Sequence, residues 1–394
     1  MKKPGYLLII ILCGIFNTAY GIGYIHYGRL EFHPFVGSRG LYTDNINQVA
    51  DNQQSAFLSE ERAGFGIFWP GDVHLFRLDY GLNLYTFPEI ENIDKKLYPK
   101  NSANLLLELN FPGGVFSKID ESYLETLSPA SGEEAGVIER MQNNAVLGFG
   151  FKSGEKYSIG LMYTNVIHDY KLSVYNDLDR MEQGIGPTLY LKIFNKTSLL
   201  LDYKFGIITY RYDRDGIRPD SNEHNILLGI TGKLTSKLTY EVKAGLESRK
   251  YKDSSLDGFS TPIMGISLIA QPSSLWSIDL KFTRRAYESN WGQNYYFMQN
   301  KSTLSVNWYP TGKITAGLNG GYEFNQYNKE ETNPETGAPE KRKDGVLSSG
   351  IDLFYDIQKW LKISAGYSIR NRASNFNIWD YTENRFSFGI LLIM

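Results

Sequence analysis

Five histidines, His26, His33, His74, His168 and His224, are the first residues to weigh for chemistry, and they stand singly along the chain. None is spaced from another as metal ligands are. His168 and Asp169 have the residue types of a general-base dyad. On a strand, adjacent side chains point to opposite faces, so this pair does not converge on one substrate. Asp213, Asp215 and Asp220 crowd one segment, but the Asp-x-Asp-x-Asp-Gly order of a calcium loop is missing. There is no GxxxxGK[ST] phosphate loop, no GxSxG elbow and no HExxH pair. The expectation is a protein that is not an enzyme, with no catalytic residue, no metal and no cofactor.

The remaining polar residues of note are charged side chains set in alternation with apolar ones. They are Arg77, Asp79, Asp202, Lys204, Glu241, Lys243, Glu247, Asp279, Lys281, Arg285, Asp352, Lys362 and Arg370. In Trp276-Ser277-Ile278-Asp279-Leu280-Lys281-Phe282 every second residue is apolar, and Leu238–Glu247 and Leu361–Arg370 repeat the pattern. A two-residue period makes each segment a strand with one oily and one wet face. Strands of soluble sandwiches usually have about 5–6 residues. These segments run to about 10–14, the length a tilted strand needs to cross a bilayer. The expected fold is therefore all-β, a transmembrane antiparallel up-and-down barrel, with the charged residues above facing an enclosed wet lumen. Both signs occur among them, which argues against a ring of one charge and strong ion selectivity.

Turn signals alternate in length along the chain. Short ones fall at 70–72, 112–114, 153–155, 195–196, 235–237, 272–274, 310–312 and 356–358, rich in Gly, Pro, Asn and Ser. Long polar stretches lie near 45–54, 88–101, 126–140, 170–182, 213–221, 252–260, 287–294, 328–344 and 374–380. Short turns between hairpins give about 18 strands, with 16 as the alternative if 115–125 is not a strand. The stretch 328–344, rich in Glu, Lys and Pro, is the candidate for a loop that either plugs the lumen or stays outside.

Aromatic residues make up 14% of the chain, with 28 tyrosines, which suits interfacial girdles. Trp69, Trp276, Trp308 and Trp360 stand beside short turns, Trp360 out of phase with its apolar neighbours. Tyr85, Tyr210, Tyr251, Tyr287 and Tyr327 stand where strands run into long loops. Trp291, Tyr295, Tyr296, Phe376, Trp379 and Tyr381 fall within or beside the long loops, where they either stack on sugar rings or anchor the barrel at the membrane interface. Two loops share a pattern: Ser289-Asn290-Trp291 with Asn300-Lys301 following, and Ser374-Asn375-Phe376 with Asn384-Arg385 following.

At the N-terminus, Lys2 and Lys3 precede an apolar run from Leu7 to Phe16 and then Ala19-Tyr20-Gly21. This reads as a secretory signal peptide, residues 1–21, followed by one barrel domain, 22–394. The only cysteine, Cys13, lies in that leader, so the mature chain has no disulfide. A net charge of −2 argues against a nucleic-acid partner. No later run is long enough for a membrane helix. The expected location is the outer membrane of a Gram-negative cell, with outer-membrane lipid as partner.

The chain also resembles the putative β-barrel porin type 2 family. The resemblance is carried by Tyr42-Thr43-Asp44-Asn45-Ile46, by Lys196-Thr197-Ser198-Leu199 and by Arg372–Phe376 with Asp380-Tyr381-Thr382-Glu383-Asn384-Arg385. What the resemblance implies is an outer-membrane porin tied to exopolysaccharide production and export. It would be a passive conduit for the polymer, with the polysaccharide and its export machinery as partners. The alternatives are a general diffusion porin for small polar solutes and a plugged structural barrel.

Overall fold

The computed structural model describes residues 25–87, 97–154 and 156–393. The expected leader with Cys13, most of the stretch near 88–101, Glu155 and Met394 lie outside these residues. A three-residue strand β1 (Ile25–Tyr27) folds back on the base of β2 (Leu30–Thr43). The wall continues with β3 (Ala56–Pro70), β4 (Leu75–Thr86), β5 (Leu97–Asn110), β6 (Val115–Thr126), β7 (Arg140–Ser153) and β8 (Tyr157–Tyr170). Next come β9 (Arg180–Phe194), β10 (Thr197–Tyr210), β11 (Ser221–Thr235), β12 (Leu238–Tyr251), β13 (Phe259–Ser273) and β14 (Trp276–Glu288). The last are β15 (Tyr296–Thr311), β16 (Ile314–Thr332), β17 (Pro339–Gln358), β18 (Leu361–Ser374) and β19 (Tyr381–Ile393). Each strand from β2 onward pairs antiparallel with the next, and β19 pairs with β2 from Arg385↔Thr43 to Ile393↔Phe35. The sheet closes as an 18-stranded barrel. Closure pairs the last wall strand with the first, which is what lets a sheet sit in lipid.

The oily face is turned outward. Ile226, Leu228, Leu246, Leu347, Ile351 and Phe388 are all exposed, the reverse of a soluble core and the signature of a lipid-facing band. At the short-turn end Trp276 and Trp308 stack with ring centres 5.8 Å apart, and Trp69 is exposed beside its own turn. Eight residues above each of the stacked pair, on the same face, Arg284 donates to Asn300 at 2.9 Å. Eight residues correspond to about 20 Å of height at ~3.3 Å rise and ~40° tilt. That is the thickness of a thin bilayer. Tyrosines mark the upper edge, each hydroxyl tied to a neighbouring strand: Tyr163 to Gln183 (3.0 Å), Tyr203 to His224 (2.9 Å) and Tyr367 to Asn384 (2.8 Å).

Residues 115–125 form a strand, β6, so the expected count of about 18 holds. Two other expectations are corrected. The stretch 328–344 is mostly wall: β16 and β17 reach 19 and 20 residues and leave only 333–338 between them. The tyrosines at strand ends are not lipid-facing. Tyr210, Tyr251 and Tyr327 are buried on the polar side, and Tyr85 donates to Glu60 there.

The β13–β14 seam stops short of its neighbours. The β13–β14 ladder ends at Met264↔Arg284, whereas β12–β13 runs on to Arg249↔Phe259 and β14–β15 to Glu288↔Tyr296. Pro262, just above the break, has no N–H to give. Its carbonyl is capped by Arg284 at 3.2 Å. Above this point the β14–β15 hairpin continues without ladder bonds to β13, and Glu288 near its end binds Arg249 of β12.

Candidate functional site: a loop across the mouth

The loop from 127 to 139, between β6 and β7, is the element that shapes the interior. Its base is closed by Ile138 N–H donating to the Leu127 carbonyl at 2.9 Å, and the Glu134 carboxylate caps the Ala130 N–H at 2.6 Å. Ile138 is buried with Tyr170 and Leu178, and Ala130 packs on that cluster. Gly136 turns with φ +82, a backbone conformation that suits glycine, and its N–H reaches the Gln48 side-chain oxygen at 2.9 Å.

The tip then meets the far wall. Arg372 of β18 donates to the Gly132 and Glu133 carbonyls at 3.2 and 2.9 Å. Ser289 donates to Glu133 at 2.6 Å. A Cβ added to Gly132 would fall 2.7 Å from the Glu323 carboxylate of β16 and 3.0 Å from the Asn325 amide, so a larger residue would have to shift those side chains. From β7 to β16 is nine strands, half of the ring of 18. The loop therefore spans a diameter of the barrel.

A packed polar core holds the far side. Arg342 is fully buried, forks onto Asp344 at 2.9 and 2.6 Å and lies 5.0, 4.9 and 4.6 Å from the rings of Trp291, Tyr327 and Trp379. Burying an ion pair is costly unless its remaining surface is enclosed by such partners. Gln48 donates to Glu383, which also accepts from Thr43, both at 2.7 Å. Burial pushes the Glu133 carboxyl up to about 7, partly offset by the Ser289 hydroxyl and Arg342.

Open space lies between the loop and the wall from β7 to β14. A cavity of 520 Å³ is lined there by Ser131 and Glu134 of the loop and by wall residues including His168, Arg180, Glu182, Glu247 and Arg285. Arg249 binds Glu223 (3.4 Å), Glu247 (3.1 Å) and Glu288, and Glu288 also accepts from Tyr210. A second cavity of 770 Å³ lies toward the short-turn end. Both are lined by Asp202, Lys204 and Lys243, so they join along one side of the barrel.

The charged residues singled out in the sequence distribute as follows. Asp202, Lys204, Lys243, Glu247 and Arg285 line these cavities. Arg77 pairs with Asp79 at 2.6 Å, Lys243 with Glu241 at 3.2 Å and Lys281 with Asp279 at 3.1 Å, each along one face of one strand. Asp352 accepts from Asn319 at 3.3 Å, Lys362 pairs with Asp356 at 3.4 Å, and Arg370 stands opposite Glu383 in the ladder. His168 and Asp169 part as expected: His168 lies 3.6 Å from Glu182, and Asp169 takes Lys171 at 2.7 Å on the other face. Asp213 pairs with Arg218 at 3.0 Å, and Asp220 accepts the Tyr210 N–H at 2.8 Å. Among the described residues no group of three or more His, Cys, Asp or Glu side chains could hold a metal.

The loop aromatics are occupied. Trp291 packs on Tyr327 and Phe376, and Tyr381 is buried with Arg372 4.7 Å from its ring. Arg342 covers Trp379, Arg214 lies 4.1 Å over Tyr295, and Tyr296 stacks on Phe259 at 4.0 Å. Each of these rings thus already has an aromatic or cationic partner.

Sequence reasoning missed the residues of the crossing loop. A signal was there: Ala130, Gly132, Ala135, Gly136, Val137 and Ile138 are small or apolar, unlike a solvated outer loop. Missed too were its anchors Gln48, Ser289 and Arg372.

No curated protein matches this chain. Among solved structures, that of Pseudomonas aeruginosa OpdO is 11% identical with a TM-score of 0.50, covering 92% of this chain and 97% of that one. Acinetobacter baumannii OccAB4 is 12% identical with a TM-score of 0.48, covering 93% and 98%. OpdK of Pseudomonas aeruginosa, solved with vanillate, is 10% identical with a TM-score of 0.48, covering 92% and 99%. At these identities the likeness speaks to fold alone. Residues 204–392, from within β10 into β19, match the family model described as putative beta-barrel porin 2.

Proposed function

We propose that this chain is a passive outer-membrane channel for small polar solutes. The reading rests on the loop 127–139, which crosses the mouth and borders the outer of two joined cavities along one side of the barrel. A constricted, hydrated wall of mixed charge offers many weak and replaceable hydrogen bonds, which suits small solutes that must enter and leave quickly. A polymer conduit asks for a wider bore and for open aromatic platforms, and the loop rings are engaged with arginines and with one another. The diffusion-porin reading is therefore favoured over the exopolysaccharide conduit. No covalent chemistry is required of any residue.

The test is solute flux into proteoliposomes. Mono- and disaccharides should enter, and longer oligosaccharides should be excluded. Deleting residues 130–136 should raise both the size limit and the single-channel conductance. Passage of long polysaccharide chains through the intact protein would overturn the reading.

A further inference from the structure

In the β14–β15 ladder Glu288 stands opposite Tyr296, in the phase that lower down turns Trp276, Leu280, Leu304 and Trp308 outward. In the β12–β13 ladder Arg249 stands opposite Phe259, in the lumen phase of Glu247 and Ile263. Yet these two rungs pack on one another. Glu288 binds Arg249, and Tyr296 stacks on Phe259 with ring centres 4.0 Å apart. The outer face of one rung therefore lies against the inner face of the other. The tip of β14–β15 sits behind the tip of β12–β13, on the lumen side.

This offset splits the wall above Met264↔Arg284. From β7 to β12 the strand residues lining the outer cavity all belong to the lumen phase. At the split, Met264, Arg284 and Ala286 of the lipid phase join them, so the cavity reaches into the gap. Arg284 lies at its foot, bridging the Pro262 carbonyl at 3.2 Å and Asn300 at 2.9 Å. On the lipid side the gap is bordered by Leu246, Pro262 and Met264, all exposed. Ile263 and Ala286, both buried, line the passage. On the cavity side Arg285 is exposed, its guanidinium 4.2 Å from the centre of the Tyr287 ring.

We propose that this gap is a side portal through which the outer cavity exchanges single-chain amphiphiles with an anionic head, namely long-chain carboxylates. The order of surfaces matches such a molecule from end to end. Its alkyl chain lies along Leu246, Pro262 and Met264, at the height where the lipid-facing band ends. Its head reaches Arg285, whose planar fork suits a carboxylate. A purely polar solute gains nothing from the apolar border. A chain without a head leaves the parted strand edges and the guanidinium unmet. A gap confined to one seam takes one chain, not the paired chains of a bilayer lipid. The portal uses the cavity of the channel reading but not its axial route.

The experiment uses leaderless protein in phosphatidylcholine vesicles, with a bimane fluorophore on Met264→Cys and dodecanoate carrying a nitroxide quencher. Quenching at this position should saturate and be reversed by unlabelled dodecanoate. At Leu280→Cys, lower on the same outer face, it should rise without saturating. Arg285→Gln should weaken half-saturation at Met264→Cys by about ten-fold, with the folded band in unheated gels unchanged. A nitroxide carried on the phosphatidylcholine should quench Met264→Cys no more than Leu280→Cys. Unsaturable quenching by dodecanoate at both positions, or half-saturation that Arg285→Gln leaves unmoved, overturns the portal. Stronger quenching of Met264→Cys by the labelled lipid overturns it too, since the gap would then be a lipid groove. Sugar entry into the same vesicles reads the axial channel separately, so either reading can fall while the other stands.

Discussion

Trp291 and Phe376 meet edge to face with ring centres 5.2 Å apart, although they belong to hairpins β14–β15 and β18–β19. Each follows a serine by two residues, and each donates its backbone N–H to that serine's hydroxyl, at 3.2 and 3.1 Å. The repeated Ser-Asn-aromatic pattern is thus a repeated turn, and the two copies deliver their rings to the same spot. Phe376 is fully buried. Phe376→Ala should cost about 3–5 kcal/mol, read as a lowered thermal midpoint in detergent. Trp291→Ala, which also strips one ring from beside Arg342, should loosen the mouth and raise open-channel noise.

Acidity should tighten the crossing loop. Glu133 faces Arg342 and Asp344 of β17, Arg372 of β18, Tyr327 of β16 and its own neighbours Glu134 and Tyr175. Its carboxyl is raised to about 7 in the docked loop. A raised acid favours docking fully below its ordinary value, and that contribution is lost as pH climbs through the raised one. Conductance should therefore rise between about pH 5 and pH 8. Glu133→Gln should hold it at the low-pH level throughout. A pH profile of the variant that matches the parent would refute this assignment.

Arg372 is the main clasp. It fastens Gly132, Glu133 and, through its Nε, the Trp379 carbonyl. Arg372→Ala leaves those buried carbonyls without donors, at about 1–3 kcal/mol each. Amide exchange in residues 127–139 should accelerate while the wall strands stay protected. Arg372→Lys keeps the charge but not the planar fork and should recover only part of the protection.

The two faces of one strand should respond oppositely to charge. Leu280 points outward, four residues above the Trp276 girdle, and Lys281 points inward beside Asp279. Leu280→Arg should destabilise the barrel by about 2–4 kcal/mol near the bilayer midplane, measured by refolding into lipid vesicles. Lys281→Gln should leave stability nearly unchanged.

Alternation made the wall readable, because burial on one face and hydration on the other force a period of two in almost every strand. β6 was the hard case for a physical reason. Its lipid-side row carries Glu121 and Glu125, held by Asn143 and Asn101, and its wet row carries Phe116 and Leu124. The crossing loop was illegible for a different reason. Its course depends on Gln48, Ser289 and Arg372, which are scattered through the sequence and share no spacing. The end-of-strand tyrosines were misjudged because the strands outrun the bilayer. Above its edge an inward tyrosine such as Tyr210 can bury against Glu288, a partner that period alone does not reveal.

The unzipped top of the β13–β14 seam carries a mechanical consequence. When the rim is pulled by a probe tip, load is carried by ladder bonds, and beside Pro262 a notch is already cut in them. Rupture should start at that notch and run downward past Met264 and Arg284, so this barrel tears along a predetermined line rather than collapsing as a whole.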